Sequence, residues 1–270
     1  MSKRGQLTII IIIAVIIIAL GLIAFFLWPQ ISALFMNEEQ SQKFLASQAE
    51  PLRQSVADCV KEISWTAFQK IGLQAGYYDT TGLKTLNHLD TDFIVVMYKD
   101  AARNRINKLP SLTQIGQQYS LFLEKEGDTK IDSCLNNLAS FKRIMKIEEG
   151  ERKITPIFYD ESILLLIDWP MKISKGDIEQ NINQKNPELL IPLGKMWKNA
   201  DVIVSCETRI DCTYEGSTWD QDVWNNPIRI RYINREARSI NKDQIVFLFE
   251  STPQRPGELP FKFNFGIDRT

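Results

Sequence analysis

Histidine is almost absent: the chain has one, His88, among 270 residues. Any Ser-His-Asp or Cys-His arrangement would have to use it. It stands in Leu86-Asn87-His88-Leu89-Asp90, which reads as a polar surface turn before a strand. No Gly-x-Ser-x-Gly elbow and no His-Glu-x-x-His helix occurs. The stretch Gly72-Leu73-Gln74-Ala75-Gly76-Tyr77-Tyr78 lacks the Gly-Lys-Ser/Thr of a phosphate loop, so it reads as a helix cap followed by an aromatic lid on the core. Asp220-Gln221-Asp222 lacks the glycine and terminal glutamate of a calcium loop. There is no basic stripe, because 32 Lys and Arg face 33 Asp and Glu. That balance argues against a nucleic-acid partner. Low-complexity tracts, charge blocks and repeats are missing too. Hence no catalytic, cofactor-binding or metal-binding residues are expected, and the chain does not read as an enzyme.

One long apolar run is present. Leu7 to Trp28 is uncharged over 22 residues. A hydrocarbon core of about 30 Å needs roughly 20 such residues in a helix. A buried core helix would be shorter and carry a polar stripe. A cleaved secretory signal would end in small residues, whereas this run ends in Phe25-Phe26-Leu27-Trp28-Pro29. Lys3 and Arg4 precede the run, and Pro29 to Gln48 holds only Lys43 against Glu38 and Glu39. The positive-inside rule keeps the N-terminus cytoplasmic and puts residues 29–270 outside the cell membrane, with Trp28 in the outer aromatic belt. The formal charge of the whole chain is −1, and removing Lys3 and Arg4 leaves −3 outside.

Four cysteines, Cys59, Cys134, Cys206 and Cys212, are an even count on an oxidising side. They allow three pairings. Closeness in sequence favours Cys206–Cys212, leaving Cys59–Cys134. Chain entropy then gives about 2.4 kcal/mol for the short loop and about 4.5 for the long one. Buried free thiols are the alternative. A metal site is disfavoured because no Cys-x-x-Cys occurs and His88 is far from every cysteine in sequence.

Periodicity predicts the external architecture. Residues 29–50 read as a stalk or a continuation of the membrane helix. Pro51 sits where a helix would begin, followed by Leu52, Val56, Cys59, Val60, Ile63, Ala67, Phe68 and Ile71, with Gly72 as the stop. Residues 92–98 make one short strand. Ser111 caps a helix with the face Leu112, Ile115, Tyr119 and Phe122, and a second stretch carries Ile131, Cys134, Leu135, Leu138, Phe141 and Met145. From about 150 the period falls to 2. Lys153–Tyr159 and Ser162–Trp169 pair across Asp160-Glu161, a helix follows from Asn186-Pro187, and strands come at 228–233, 244–249 and 261–265. The segment 261–265 reads as a candidate edge strand for a partner. The expected fold class is α+β: a transmembrane helix, a helical external region, then an antiparallel sheet packed with a helix. The expected regions are 1–28 (leader and span), 29–50 (stalk), 51–147 (mainly helical) and 148–270 (α+β).

Lys3-Arg4-Gly5-Gln6 directly before the span resembles the class III leader of archaeal type IV pilin-like proteins. The resemblance implies a leader peptidase that cuts between Gly5 and Gln6, and a span that anchors the protein or packs in a filament. No acidic residue occurs between Gln6 and Trp28, although the family often carries one there. The external part, with Cys59 in its helix, the 72–78 stretch and the Cys134 helix before strands, resembles membrane-anchored archaeal proteins of no known activity.

Three functions are compatible with these features. The first is an extracytoplasmic surface protein that binds or scaffolds, in contact with membrane lipid and with copies of itself or other surface proteins. The second is a subunit of a type IV pilus-like filament or secretion machine. The third is an external hydrolase using paired carboxylates such as Asp90/Asp92, Glu148/Glu149 or Asp220/Asp222. Trp169, Trp197, Trp219 and Trp224 read as core or sheet-face residues before sugar platforms.

Overall fold

The computed structural model describes residues 38–88, 90–208, 228–234, 244–251 and 259–270. Gly5, Gln6, the run 7–28, Cys212, Asp220, Asp222, Trp219 and Trp224 therefore lie outside the described residues. No helix among the described residues is long and apolar enough to cross a membrane.

Helix α1 covers Glu38–Leu73. Leu45, Ala49, Leu52, Val56, Val60, Ser64, Phe68 and Ile71 are buried at steps of three or four, which is a helical stripe. Glu38 and Glu39 at its start and Lys70 near its end complement the helix dipole. Pro51 is interior, so it does not begin the helix as expected. Its ring nitrogen cannot donate to the Ser47 carbonyl, yet the stripe runs through it from Leu45 to Val56, and burial outweighs the lost bond. Residues 38–50 are helical, and the residues between them and the run 7–28 lie outside the described ones.

Gly72 does not stop α1 either. The end is a Schellman motif: Gly76 N–H donates to the Ile71 carbonyl at 2.8 Å and Ala75 N–H to the Gly72 carbonyl at 3.3 Å. Ala75 takes the left-handed position, at φ 56°. Gly72 serves a close approach instead. A Cβ there would stand 2.2 Å from the Lys262 carbonyl oxygen.

The described chain divides into two compact units. The larger comprises the described residues of 54–137, 151–169 and 184–270; the smaller comprises 38–53, 138–150 and 170–183. These interleaved units differ from a single cut near 147.

In the larger unit, β1 (Thr85–His88), β2 (Thr91–Lys99), β3 (Arg105–Asn107), β10 (Ile228–Asn234), β11 (Gln244–Ser251) and β12 (Lys262–Asp268) form one sheet of order β1-β2-β12-β11-β10, with β3 also on β2. Among the described strands of this sheet, only the β12–β2 pairing is parallel. Phe93 to Met97 is buried without a break, as a strand covered on both faces requires. Opposite β11, Phe247 faces Phe265 and Phe249 faces Phe263. The Phe247 and Phe265 rings stack with centroids 5.0 Å apart. Helix α5 (Leu193–Thr208) packs on β2, β3 and β12. Two expectations are corrected here. The segment 261–265 is no edge, because β12 lies between β11 and β2. Residues 51–147 also supply three strands, where one was expected.

A second sheet of this unit has the order β5-β6-β9, from Lys153–Phe158, Ile163–Asp168 and Glu188–Leu189. Pro156 sits on β5, an edge among the described strands, where its missing N–H costs no ladder bond. The expected hairpin is observed in register, Lys153 opposite Asp168. The expected helix from 186 starts only at Leu193, because residues 188–189 pair with β6 and Pro192 intervenes.

The smaller unit holds the antiparallel sheet β4-β7-β8, from Lys146–Glu149, Met171–Lys175 and Ile178–Ile182, together with the first part of α1. Met171, Ile173 and Ile182 are buried. Lys175 lies 4.9 Å above the Phe44 ring of α1 and donates to the Ile144 carbonyl at 2.5 Å.

Candidate functional site

The groups with the most chemistry gather around three helical pieces of the larger unit. Ser111 caps α2 (Leu112–Phe122) in a capping box with Gln114. The helix then widens into a π segment, Leu123–Gly127, and continues as α3 (Asp128–Cys134). A Cβ on Gly127 would meet Leu123 at 2.8 Å and Phe122 at 2.9 Å, so glycine lets the π turn close. Glu126 lies in this π segment, and Lys70, Lys130 and the Tyr78 hydroxyl all donate to it.

The 72–79 turn meets this helix directly. Gln118 Oε1 accepts from the backbone N–H of Tyr78 at 2.9 Å and of Asp79 at 3.0 Å. The Tyr78 ring stands edge-on to Phe122, centroids 5.6 Å apart, with Lys70 Nζ 4.4 Å from its centre. Lys130, then Tyr78 and Lys70, hold the Glu126 carboxyl at about 2 against the opposing effect of burial. Hydrogen bonds from Thr81 and then Lys125 hold Asp79 at about 2. Burial, followed by Glu126, pushes the Tyr78 phenol up. The lid expected from the sequence is what these residues build: a capped helix end under an aromatic cover, locked by charge pairs.

Cys59 and Cys134 are a disulfide-compatible pair, with Cα atoms 5.8 Å apart. Cys59 is 7 % exposed on α1, whereas Cys134, the last residue of α3, is exposed. The stretch expected to continue as one helix through Met145 breaks here. Asn136, Asn137 and Leu138 all take the left-handed region, at φ 48°, 51° and 58°. Such a conformation costs an ordinary L-residue roughly 1–2 kcal/mol, and asparagine less. The adjacent asparagines were the legible signal for this turn, and the helical spacing of Leu135, Leu138 and Phe141 hid it. A short α4 (Ala139–Lys142) follows before β4. Cys206 is in the last turn of α5 and is not a free thiol.

Neither of the two carboxylate pairs among the described residues assembles a cleft. Asp90 and Asp92 are both exposed, and Asp92 accepts from Asn87 at 2.9 Å. Glu148 and Glu149 are neighbours on β4, each with its own lysine: Lys146 at 2.5 Å and Lys142 at 2.7 Å. Among the described residues, every carboxyl with a resolved shift is lowered: Asp79, Asp100, Glu126, Glu148 and Asp268. A carboxylic general acid at neutral pH needs the opposite. His88 is half-buried at the end of β1, with Nε2 buried and without a hydrogen-bond partner among the described residues, so it is not the exposed loop residue expected. Trp169 is 3 % exposed under Arg152, whose guanidinium is 3.8 Å from the ring centre. Trp197 donates its indole N–H to the Pro110 carbonyl at 2.6 Å. No group of His, Cys, Asp and Glu among the described residues could hold a metal ion.

Sequence reasoning missed two buried charges. Asp268, 2 % exposed, would be raised by burial, but Lys84 at 2.7 Å and Thr270 outweigh it and lower it. Glu207, 7 % exposed, pairs with Arg269. Neither carries a periodicity that sequence could show. No protein-family model, curated protein or solved structure matches the chain.

Proposed function

We propose that the chain is a single-pass membrane-anchored protein with residues 29–270 outside, a pilin-like leader at Gly5-Gln6, and a binding or scaffolding role. The observation that carries this reading is the 22-residue uncharged run behind Lys3 and Arg4. The Cys59–Cys134 pair supports it, because a bridge between elements 75 residues apart persists in an oxidising compartment. The charge-locked lid supports a scaffold, since its carboxylates hold cations already. Its partners are membrane lipid, the leader peptidase, and copies of itself or other surface proteins.

Sealed, right-side-out membranes treated with an impermeant amine reagent test the reading. Lysines from Lys43 onward should be labelled without permeabilisation. Labelling of Lys43 and the lysines after it only once the membranes are permeabilised would reverse the topology. Release of the protein by alkaline washing would remove the anchor.

The leader motif favours one second reading, a subunit of a filament or secretion machine. Spans would then cross-link to copies of themselves, and monomeric protein in mild detergent counts against it.

A further inference from the structure

Two anchors bracket a backbone that L-amino acids avoid. One is Cys134, the last residue of α3, facing Cys59 of α1. The other is Leu138, whose side chain is buried at 2 % exposure. Between them the chain reverses through Asn136 and Asn137, and Leu138 itself completes a run of three left-handed residues. Asparagine visits this region readily and leucine does not. A turn of this kind persists where its surroundings fix both ends.

We infer that the Cys59–Cys134 bridge is a reducible clamp on the left-handed turn 136–138, opened by a dithiol that enters at Cys134. The inference rests on the external, oxidised state proposed above. Access is one-sided, since Cys134 is exposed and Cys59 is buried. A thiolate of the dithiol attacks Cys134 Sγ. The S–S bond breaks, and Cys59 leaves with the electron pair and takes up a proton. The second thiol of the reagent then displaces Cys134 as a thiolate and closes the reagent's own disulfide. The protein gains two thiols and the dithiol is oxidised. With the bridge open, the end of α3 loses its anchor and the turn relaxes towards right-handed backbone. The pairings of β2 with β1 and β12 involve neither cysteine and stay in place.

Hydrogen exchange on the full chain in native membranes, resolved by peptide, tests this before and after dithiothreitol. Peptides spanning 131–142 should exchange about tenfold faster after reduction, the change expected when one left-handed residue's cost is no longer held. Peptides of β2 and β12 should not change. The Asn137→Gly variant should lose less protection on reduction, because glycine adopts positive φ freely. Unchanged exchange over 131–142, an equal loss in Asn137→Gly, or acceleration throughout β2 and β12 would each overturn the clamp. Alkylation of Cys59 or Cys134 before any reductant would overturn the oxidised reading as well, and intact mass shows it before exchange begins.

Discussion

Ser64 and Tyr119 are both fully buried, and their hydroxyls meet at 2.6 Å. Phe68 stacks on the Tyr119 ring at 4.9 Å, and burial pushes the phenol far above its ordinary range. Removing one partner strands the other. Ser64→Ala should therefore cost about 1–3 kcal/mol in denaturant unfolding, and Ser64→Ala with Tyr119→Phe should cost less than the two single changes added. Gly72→Ala should cost about 1–3 kcal/mol by forcing α1 away from the Lys262 backbone, read as a lower melting temperature. Acid acts on a different group. Glu126 is held at about 2 in the folded chain against an ordinary 4.5, so its contribution is complete above that ordinary value and is lost as pH falls towards 2. The melting temperature should fall across that window, and Glu126→Gln should flatten part of the fall.

At the scale of elements, α1 and β2 show what a sequence can and cannot say. The stripe from Leu52 to Ile71 was readable because burial on one helix face imposes a repeat. Its course before Pro51 was hidden by that proline, a strong local signal that tertiary burial of Leu45 and Ala49 overrides. Pro51→Ala restores a donor for the Ser47 carbonyl at an exposed position. It should raise stability by about 1–3 kcal/mol, checked by thermal unfolding. Strand β2 was legible as a strand, but its partner was not. Val95, Met97 and Tyr98 pair with β12 across more than half the chain, and no local pattern encodes so distant a neighbour. The same holds for the lid. Its glycines and tyrosines stand out in sequence, whereas Glu126 joins them only through the π segment, for which neither period has a signature.

For the molecule as a whole, the Cys59–Cys134 pair ties distant elements of the larger unit. Replacing both cysteines by alanine should cost up to about 4.5 kcal/mol, by releasing a long closed loop in the unfolded chain. The same pair bears on where the protein resides. The intact mass of protein from native membranes, before and after reduction and alkylation, tests the account most directly. A chain beginning at Gln6, with four alkyl groups added only after reduction, is the predicted result. A chain that retains Lys3 and Arg4 would contradict the pilin-like leader, and four alkyl groups added without reduction would contradict the external, bridged state.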